Sequence, residues 1–385
     1  MFFLKFREVK ARSSRLFSPI TLGGVELRNR IIVAPMCQYS AHDGTANDWH
    51  LMHLGQYAVS GVGLIIAEAT GVSPEGRISP GCLGLWSDEN QAGLARVVKF
   101  CKEFGHAKIG IQLAHAGRKA STELPWLGGA PIKASDPRGW QTVAPVAAPY
   151  SEAFDMPTAL DDAGMAKIRE DFVAAARRAD AIGFDVVELH MAHGYLCHQF
   201  LSPLSNQRND EYGGSLEGRM RFPLELFTAV RAVWPQEKAL GVRISATDWV
   251  ENSSWDVTEA SQFTAALKVA GADFIDVSSG GNSPAQKIDA GPGYQTGFAA
   301  TIKREIGLPT MAVGQITEPR QAEAILRSDQ ADMIALGRGM LYNPRWAWHA
   351  AEALEDEAAY APQYMRSNKA LRGLPIPGNP PVPKG

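Results

Sequence analysis

Two histidines, a tyrosine and a glycine close the stretch Phe184-Asp185-Val186-Val187-Glu188-Leu189-His190-Met191-Ala192-His193-Gly194-Tyr195. Imidazoles donate hydrogen bonds to a substrate oxygen or exchange protons with it, and a phenol is a weak acid that can deliver one. Val186, Val187 and Leu189 suit a strand buried on both faces of a parallel sheet, so the polar groups begin where that strand ends. Three ring-bearing polar side chains there are awkward to bury unless something polar is bound, which marks this stretch as the active site. Gly194 lets the chain turn tightly between the last two. Two blander readings stand beside this one. His190 and His193 form a satisfied core pair, or they form a metal site completed by His198, although no carboxylate stands at ligand spacing beside them.

Placing such a cluster requires a scaffold, and the rest of the chain supplies one by alternation. Buried-strand patterns occur at 31–36, 64–70, 108–115, 185–192, 240–246, 274–280, 309–314 and 333–338, with amphipathic helical stretches between them. In one of these, 161–182, Ile168, Phe172, Ala175 and Ala179 recur at spacings of three and four. Strand and helix alternating in this way predict an α/β fold, a closed parallel (β/α)₈ TIM barrel. An open doubly wound sheet is the alternative, but Ala34-Pro35-Met36-Cys37 after the first strand is not a glycine-rich phosphate turn. A barrel needs about 250 residues, so the surplus sits in insertions and tails. The segment 120–157, rich in Pro, Gly and Trp, follows the third strand and reads as a lid or hairpin over the carboxyl face. The division expected is a loose arm over 1–16, the barrel over 17–366, and a Pro-rich C-terminal extension over 367–385 that cannot form a helix.

Composition narrows the partners. Of 385 residues 45% are hydrophobic, enough for a sizeable core, and 38 basic against 41 acidic residues give a net charge of −3. No basic excess exists to attract nucleic acid or an anionic membrane, so the partner is a small molecule. No apolar run approaches the roughly 18 residues of a membrane span. The start, with Lys5, Arg7 and Lys10 after an apolar beginning, reverses the order of a secretion signal. Cys37, Cys82, Cys101 and Cys197 contain no C-x-x-C pair, which fits free thiols in a reducing cytoplasm.

In a barrel of this kind the carboxyl ends of the strands face the active site. The first strand then delivers Cys37 and Tyr39; the second Glu68, Ala69 and Thr70; the third Gln112, His115 and Lys119. The fourth brings His190, His193 and Tyr195, the fifth Arg243, and the sixth Ser278-Ser279-Gly280-Gly281. Gly314-Gln315 and Gly337-Arg338 end the last two. Loops after strands seven and eight often bind phosphate: Gly314 and Gly337 would let backbone N–H groups approach an anion that Arg338 neutralises. Alternatively these glycines only close turns and Arg338 pairs with a surface carboxylate. Arg243, enclosed by the barrel, needs an anion or carbonyl-rich partner, or an ion pair with Glu188 or Glu68. Cys37 also reads as a small buried hydrophobe.

Several runs resemble the old yellow enzyme family of FMN-containing ene-reductases. They are Leu27-Arg28-Asn29-Arg30-Ile31, Ala34-Pro35-Met36-Cys37-Gln38-Tyr39, Ile111-Gln112-Leu113-Ala114-His115-Ala116-Gly117-Arg118, His190-x-x-His193-Gly194-Tyr195, Asp210-Glu211-Tyr212-Gly213-Gly214-Ser215 and Leu336-Gly337-Arg338. The motifs cover about 17–366 in the family's order. Cys37 with Tyr39 resembles the branch of xenobiotic reductases and thermophilic-like ene-reductases. The resemblance implies FMN held by Ala34, Pro35, Met36, Cys37, Ala69, Gln112, Arg243, Gly314, Gln315, Gly337 and Arg338. Arg243 would lie by the pyrimidine edge, and Cys37 beside the ring as a tuning group. It further implies that His190 and His193 bind a carbonyl or nitro oxygen, that Tyr195 is the proton donor, and that Tyr39 and Lys119 line the pocket. Pro362-Gln363-Tyr364-Met365-Arg366 resembles a segment whose arginine reaches a neighbouring subunit's site, which implies a homodimer or homotetramer. No metal is implied.

The expectation is an FMN-dependent NAD(P)H oxidoreductase that reduces activated C=C bonds of enones, enals, maleimides or nitro compounds. NADPH or NADH and the alkene would take turns over one flavin face. Another FMN barrel oxidoreductase and a metal-dependent barrel hydrolase are the alternatives. The insertion over 120–157 and the Pro-rich tail depart from the family pattern, and both bear on substrate preference.

Overall fold

The computed structural model describes residues 14–369 and residue 372. Its centre is a closed barrel of eight parallel strands: β1 (Ile31–Val33), β2 (Leu64–Gly71), β3 (Lys108–Ala114), β4 (Val186–Met191), β5 (Ala239–Ser245), β6 (Phe274–Ser278), β7 (Thr310–Ala312) and β8 (Met333–Leu336). Neighbours in sequence are neighbours in the sheet, and β8 closes onto β1. Several strands stop before their expected ends, β1 at Val33, β6 at Ser278 and β7 at Ala312. There the chain turns inward to build the mouth, with Gly280, Gly281, Gly314 and Gln315 at positive φ.

The helices begin where their sequences place capping groups. Asn47 caps Asp48–Ala58 and exchanges hydrogen bonds with His50, Asp161 accepts from Gly164 N at 2.8 Å to start Asp162–Ala181, and Asp256 starts Val257–Val269. Ile168, Phe172, Ala175 and Ala179 form the buried stripe of Asp162–Ala181. Leu16 is also part of the core, and the N–H groups of Arg15 and Leu16 each donate to Glu323 at 2.8 Å. Residues 14–16 of the arm expected over 1–16 are therefore tied to the barrel, and residues 1–13 lie outside the described residues. The tail expected over 367–385 lies almost wholly outside them.

Inside the barrel the side chains form storeys, because alternate residues of each strand point to the axis. The floor is apolar: Ile32, Leu64, Ile66, Val186, Ala239, Phe274, Met311 and Met333 pack together over Leu22, Val25 and Leu27. Those last three come from the hairpin Ile20–Leu22 with Val25–Leu27, which plugs the lower end. Gly241 is required by this layer, since a Cβ there would lie 2.3 Å from the Phe274 ring. Gly241→Ala should therefore lose about 1–3 kcal/mol through overpacking, read as a lower urea midpoint. An unchanged midpoint would mean that Phe274 yields freely.

Residues 120–157 hold little regular structure: a 3₁₀ turn at Pro125–Leu127, and Val143–Ala144 paired in parallel with Thr158–Ala159. The second strand of that pair lies beyond the insertion, but the hairpin expected of the segment is present at its start: Glu123 N donates to Ala130 O at 2.7 Å and Ile132 N to Ser121 O at 2.6 Å, around an antiparallel bridge between Thr122 and Pro131.

Candidate active site

Above the apolar floor the barrel turns polar. In register across β4, β5 and β6, His190 lies opposite Arg243 and Arg243 opposite Asp276. Gln112 on β3 pairs with Glu188 on β4. Gln112 Nε2 donates to Glu188 Oε1 at 2.7 Å, and Arg243 Nε stands 3.2 Å from Asp276 Oδ2. The sequence offered Glu188 or Glu68 as partners of Arg243; the ion-pair partner in the structure is Asp276. Its signal was the inward parity of Phe274-Ile275-Asp276-Val277-Ser278, two residues before Ser278. Burial pushes the Glu188 carboxyl up to about 8, reinforced by Asp276 and opposed by Arg243. Burial raises Asp276 as well, against the pull of Arg243.

Glu68 takes no part in this layer. The ladder between β2 and β3 shifts register between Ala67 and Ala69, and this irregularity turns Glu68 to accept from Gln38 N at 3.0 Å. Ala69 is thereby left opposite Gln112.

The loop after β4 sets the histidines. His193 and Gly194 both have positive φ, 57° and 72°. A Cβ on Gly194 would lie 2.3 Å from Gly281 O, so only glycine fits between the loops after β4 and β6. Ala192 N donates to His190 Nδ1 at 3.2 Å, which leaves the proton of a neutral His190 on Nε2. That N–H faces His193 Nδ1 at 3.3 Å, and His193 Nε2 faces Ser278 Oγ at 2.7 Å. The pair thus forms a hydrogen-bonded relay from His190 through His193 to Ser278. Burial holds both imidazoles well below their usual range, with Arg243 adding to the effect, so both are neutral donors near neutral pH.

Tyr195 stands against this pair, its ring edge-on to His190 at 4.9 Å. Burial holds its phenol well above the ordinary value, and the neighbouring Cys37 and Tyr39 add to the shift. It therefore keeps its proton at any physiological pH. Lys119 lies over the Tyr195 ring at 5.2 Å and over Tyr150 at 4.8 Å. Its ammonium donates to His193 O at 2.8 Å and Gly281 O at 2.7 Å, so it braces the two loops in addition to lining the mouth. Tyr39, at φ 50°, meets Trp126 of the 120–157 loop edge-on at 6.0 Å. Burial keeps Cys37 a neutral thiol.

His198 does not join His190 and His193. Its Nδ1 accepts from Gly194 N at 2.9 Å and its Nε2 lies 3.1 Å from Asp248 Oδ1, so both ring nitrogens are already occupied. Among the described residues no cluster of three metal-ligating side chains exists.

On the far side of the mouth Ala34 N bonds Leu336 O, which ties Ala34-Pro35-Met36-Cys37 to β8. Gly337 faces Met36 Sδ, with no other atom within 4 Å of the place its Cβ would take. Gln295 links Val313 next to Gly314 with Ser278 and Ser279. Arg338 and Arg366 are exposed and make no side-chain hydrogen bond or ion pair among the described residues. The structure thus gathers Gln112, Lys119, His190, His193, Tyr195 and Arg243 into one constellation, and leaves Arg366 on the turn Pro362–Ser367.

An FMN fits these donors. The Arg243 guanidinium has no hydrogen-bond acceptor among the described residues beyond its ion pair with Asp276, so most of its fork is unmatched. Gln112, whose amide N–H₂ is held by Glu188, offers its carbonyl oxygen beside it. A flat ring with carbonyl and N–H groups on one edge answers both.

A family model described as NADH:flavin oxidoreductase / NADH oxidase matches residues 15–357. The NADPH dehydrogenase of Geobacillus thermodenitrificans (strain NG80-2) is 46% identical over 353 residues, covering 91% of this chain and 98% of that protein. That of Bacillus subtilis (strain 168) is 43% identical over 354 residues, with 91% and 98% covered. Among solved structures, morphinone reductase in complex with tetrahydroNAD superimposes with a TM-score of 0.74 at 29% identity, covering 89% of this chain and 92% of that one.

Proposed function

The chain belongs to the NADH:flavin oxidoreductase / NADH oxidase family, and from that premise we infer how its residues divide the work. It is an FMN-dependent NAD(P)H oxidoreductase of the ene-reductase kind. Bound FMN supplies the hydride exchange between the nicotinamide and an electron-poor alkene. Gln112 and Arg243 would hold its ring through their polar groups, and Ala34, Pro35, Met36, Cys37 and Ala69 would line its seat. Gly314, Gln315, Gly337 and Arg338 would receive its phosphate.

When the β-carbon of an activated alkene gains hydride, negative charge develops on the oxygen of its activating group. That oxygen takes the Nε2–H of His190 in place of the long 3.3 Å link to His193. Once His190 turns to that oxygen, Ser278 Oγ donates to His193 Nε2, the His193 proton sits on Nδ1, and this N–H supplies the second donor, with Lys119 holding the His193 carbonyl. Neutral imidazoles suit this task, since they stabilise charge as it forms without holding an anion in the ground state. Tyr195 gives its proton to the α-carbon, a downhill transfer from a weak acid to a carbanion-like base. Tyr39 and Trp126 border the entrance and bear on which alkenes enter.

The observation that supports this reading best is the contact of a protonated Tyr195 with His190, the start of the relay to His193, in register with Arg243 on the next strand. The test is anaerobic stopped-flow. Yellow protein bleached by NADPH should recolour at a rate proportional to the enone concentration, and recolouring by air alone would sink the alkene chemistry.

We place the enzyme in the cytoplasm as a homodimer or homotetramer. Four free thiols suit a reducing compartment, and no helix among the described residues is long and apolar enough to cross a membrane. Tyr364 and Met365, next to Arg366, are 45% and 52% exposed, and Met52 and Phe104 nearby are 47% and 42% exposed. Met52, Phe104 and Tyr364 rim an apolar groove between Asp48–Ala58 and Asp88–Phe104. Such a patch suits a second copy that brings Arg366 to its neighbour's mouth. A monomeric mass by light scattering at assay concentration would rule this out.

A further inference from the structure

Two carboxyl groups and one guanidinium crowd the barrel beside His190: Arg243 lies in register with both His190 and Asp276, and Glu188 sits two residues before His190 on β4. Glu188 and Asp276 are fully buried, and Arg243 is 8% exposed. Glu188 Oε2 and both oxygens of Asp276 lack a hydrogen-bond donor. If both carboxyls ionised, one surplus negative charge would sit on an apolar floor of Phe274, Met311 and Met333, where an uncompensated charge is strongly disfavoured. A single proton on the pair removes that surplus, as in other paired buried carboxyls.

We propose that Glu188 and Asp276 share one proton and act as positioning residues, setting through Gln112 and Arg243 the charge beneath the flavin seat, and that they hold this proton more tightly once the cofactor is reduced. The proposal rests on the reading that Gln112 and Arg243 face FMN. Gln112 on β3, Arg243 on β5 and His190 two residues along β4 are the groups that face the pair. Above them lie His193 and Lys119, and of these only Arg243 is a fixed cation. The rise of Glu188 to about 8 is in keeping with a pair that titrates just above neutrality. Lys119, lowered to about 8 by burial, titrates in the same window and must be separated from it.

Reduction brings two electrons and added negative charge to the seat, and the pair answers by keeping or taking a proton from solvent. One additional proton per two electrons makes the reduction equilibrium tenfold less favourable per pH unit, which is about 30 mV for a two-electron couple. The experiment is dye-equilibrated measurement of the midpoint potential of the holoenzyme from pH 6 to 9.5. The wild type should show this extra steepness. Glu188→Gln, which mimics the protonated form and leaves Lys119 in place, should lose it, and Asp276→Asn should lose it too.

Parallel curves for wild type and either variant would overturn the shared proton. If neither variant retains FMN, indicator-dye titration of the wild type decides. Uptake above one proton per flavin reduced at pH 8.5 is expected, and uptake of one overturns the proposal. The flavin seat itself is tested separately. Unchanged FMN affinity in Arg243→Met would refute the placement of the ring while leaving the carboxyl pair untouched.

Discussion

Tyr195→Phe should reduce with NADPH at the wild-type rate and then reoxidise with an enone about 10²–10⁴ times more slowly, the span that a positioned proton donor contributes. Only the second half-reaction adds a proton to carbon, so only it should suffer. The substitution is clean because no hydrogen bond to the Tyr195 hydroxyl exists among the described residues, and its removal leaves no orphaned partner. The ring packing against His190 at 4.9 Å is kept. The phenol lies well above its ordinary range, so the wild-type rate should not fall through ionisation of Tyr195 anywhere near neutral pH. Single-turnover absorbance of the flavin in each half-reaction measures both rates. Equal slowing of the two would take the proton-donor role away from Tyr195.

The barrel was legible because its strands are short apolar runs separated by helices of regular period, and each of the eight runs became a strand. The residues at strand ends were legible for the same reason, since parallel strands deliver their ends to one mouth. Among acidic side chains inside the strands only Glu188 and Glu68 were weighed as partners of Arg243, and Asp276 was missed although its parity with Ser278 carried the information. His198 was misleading in a different way. Its spacing from His193 suggests a shared ligand set, yet it lies on Leu196–Leu201 and pairs with Asp248, fifty residues further along. The hydrogen-bond relay of His190 and His193 depends on positive φ at both His193 and Gly194, which only the glycine advertises. Lys119 was read as a pocket residue, and the carbonyls it braces lie 74 and 162 residues away. The loop over 120–157 has no hydrophobic period, so neither its path nor the meeting of Trp126 with Tyr39 could be drawn from sequence.

Arg243→Met should be the most damaging change to the apoprotein. It removes the one fixed cation beside Asp276 and Glu188 and leaves a buried carboxylate unpaired, a loss of about 3–5 kcal/mol. The deficit has a defined pH dependence. Without Arg243 the folded-state pKa of Asp276 rises further above its unfolded value of about 3.9, so the folded protein binds the proton more tightly than the unfolded chain. The deficit is then absent below about pH 4 and grows as pH rises. Arg243→Met/Asp276→Leu should recover most of the stability, because replacing a buried pair by apolar groups is often neutral or favourable by about 1–4 kcal/mol. It should not recover FMN, since the ring would still lack its cationic edge. Urea unfolding of the apoproteins and FMN titration by fluorescence quenching separate the two effects. A single variant as stable as wild type at pH 7 would mean that Asp276 is uncharged in the native protein and that the ion pair, at 3.2 Å, contributes nothing.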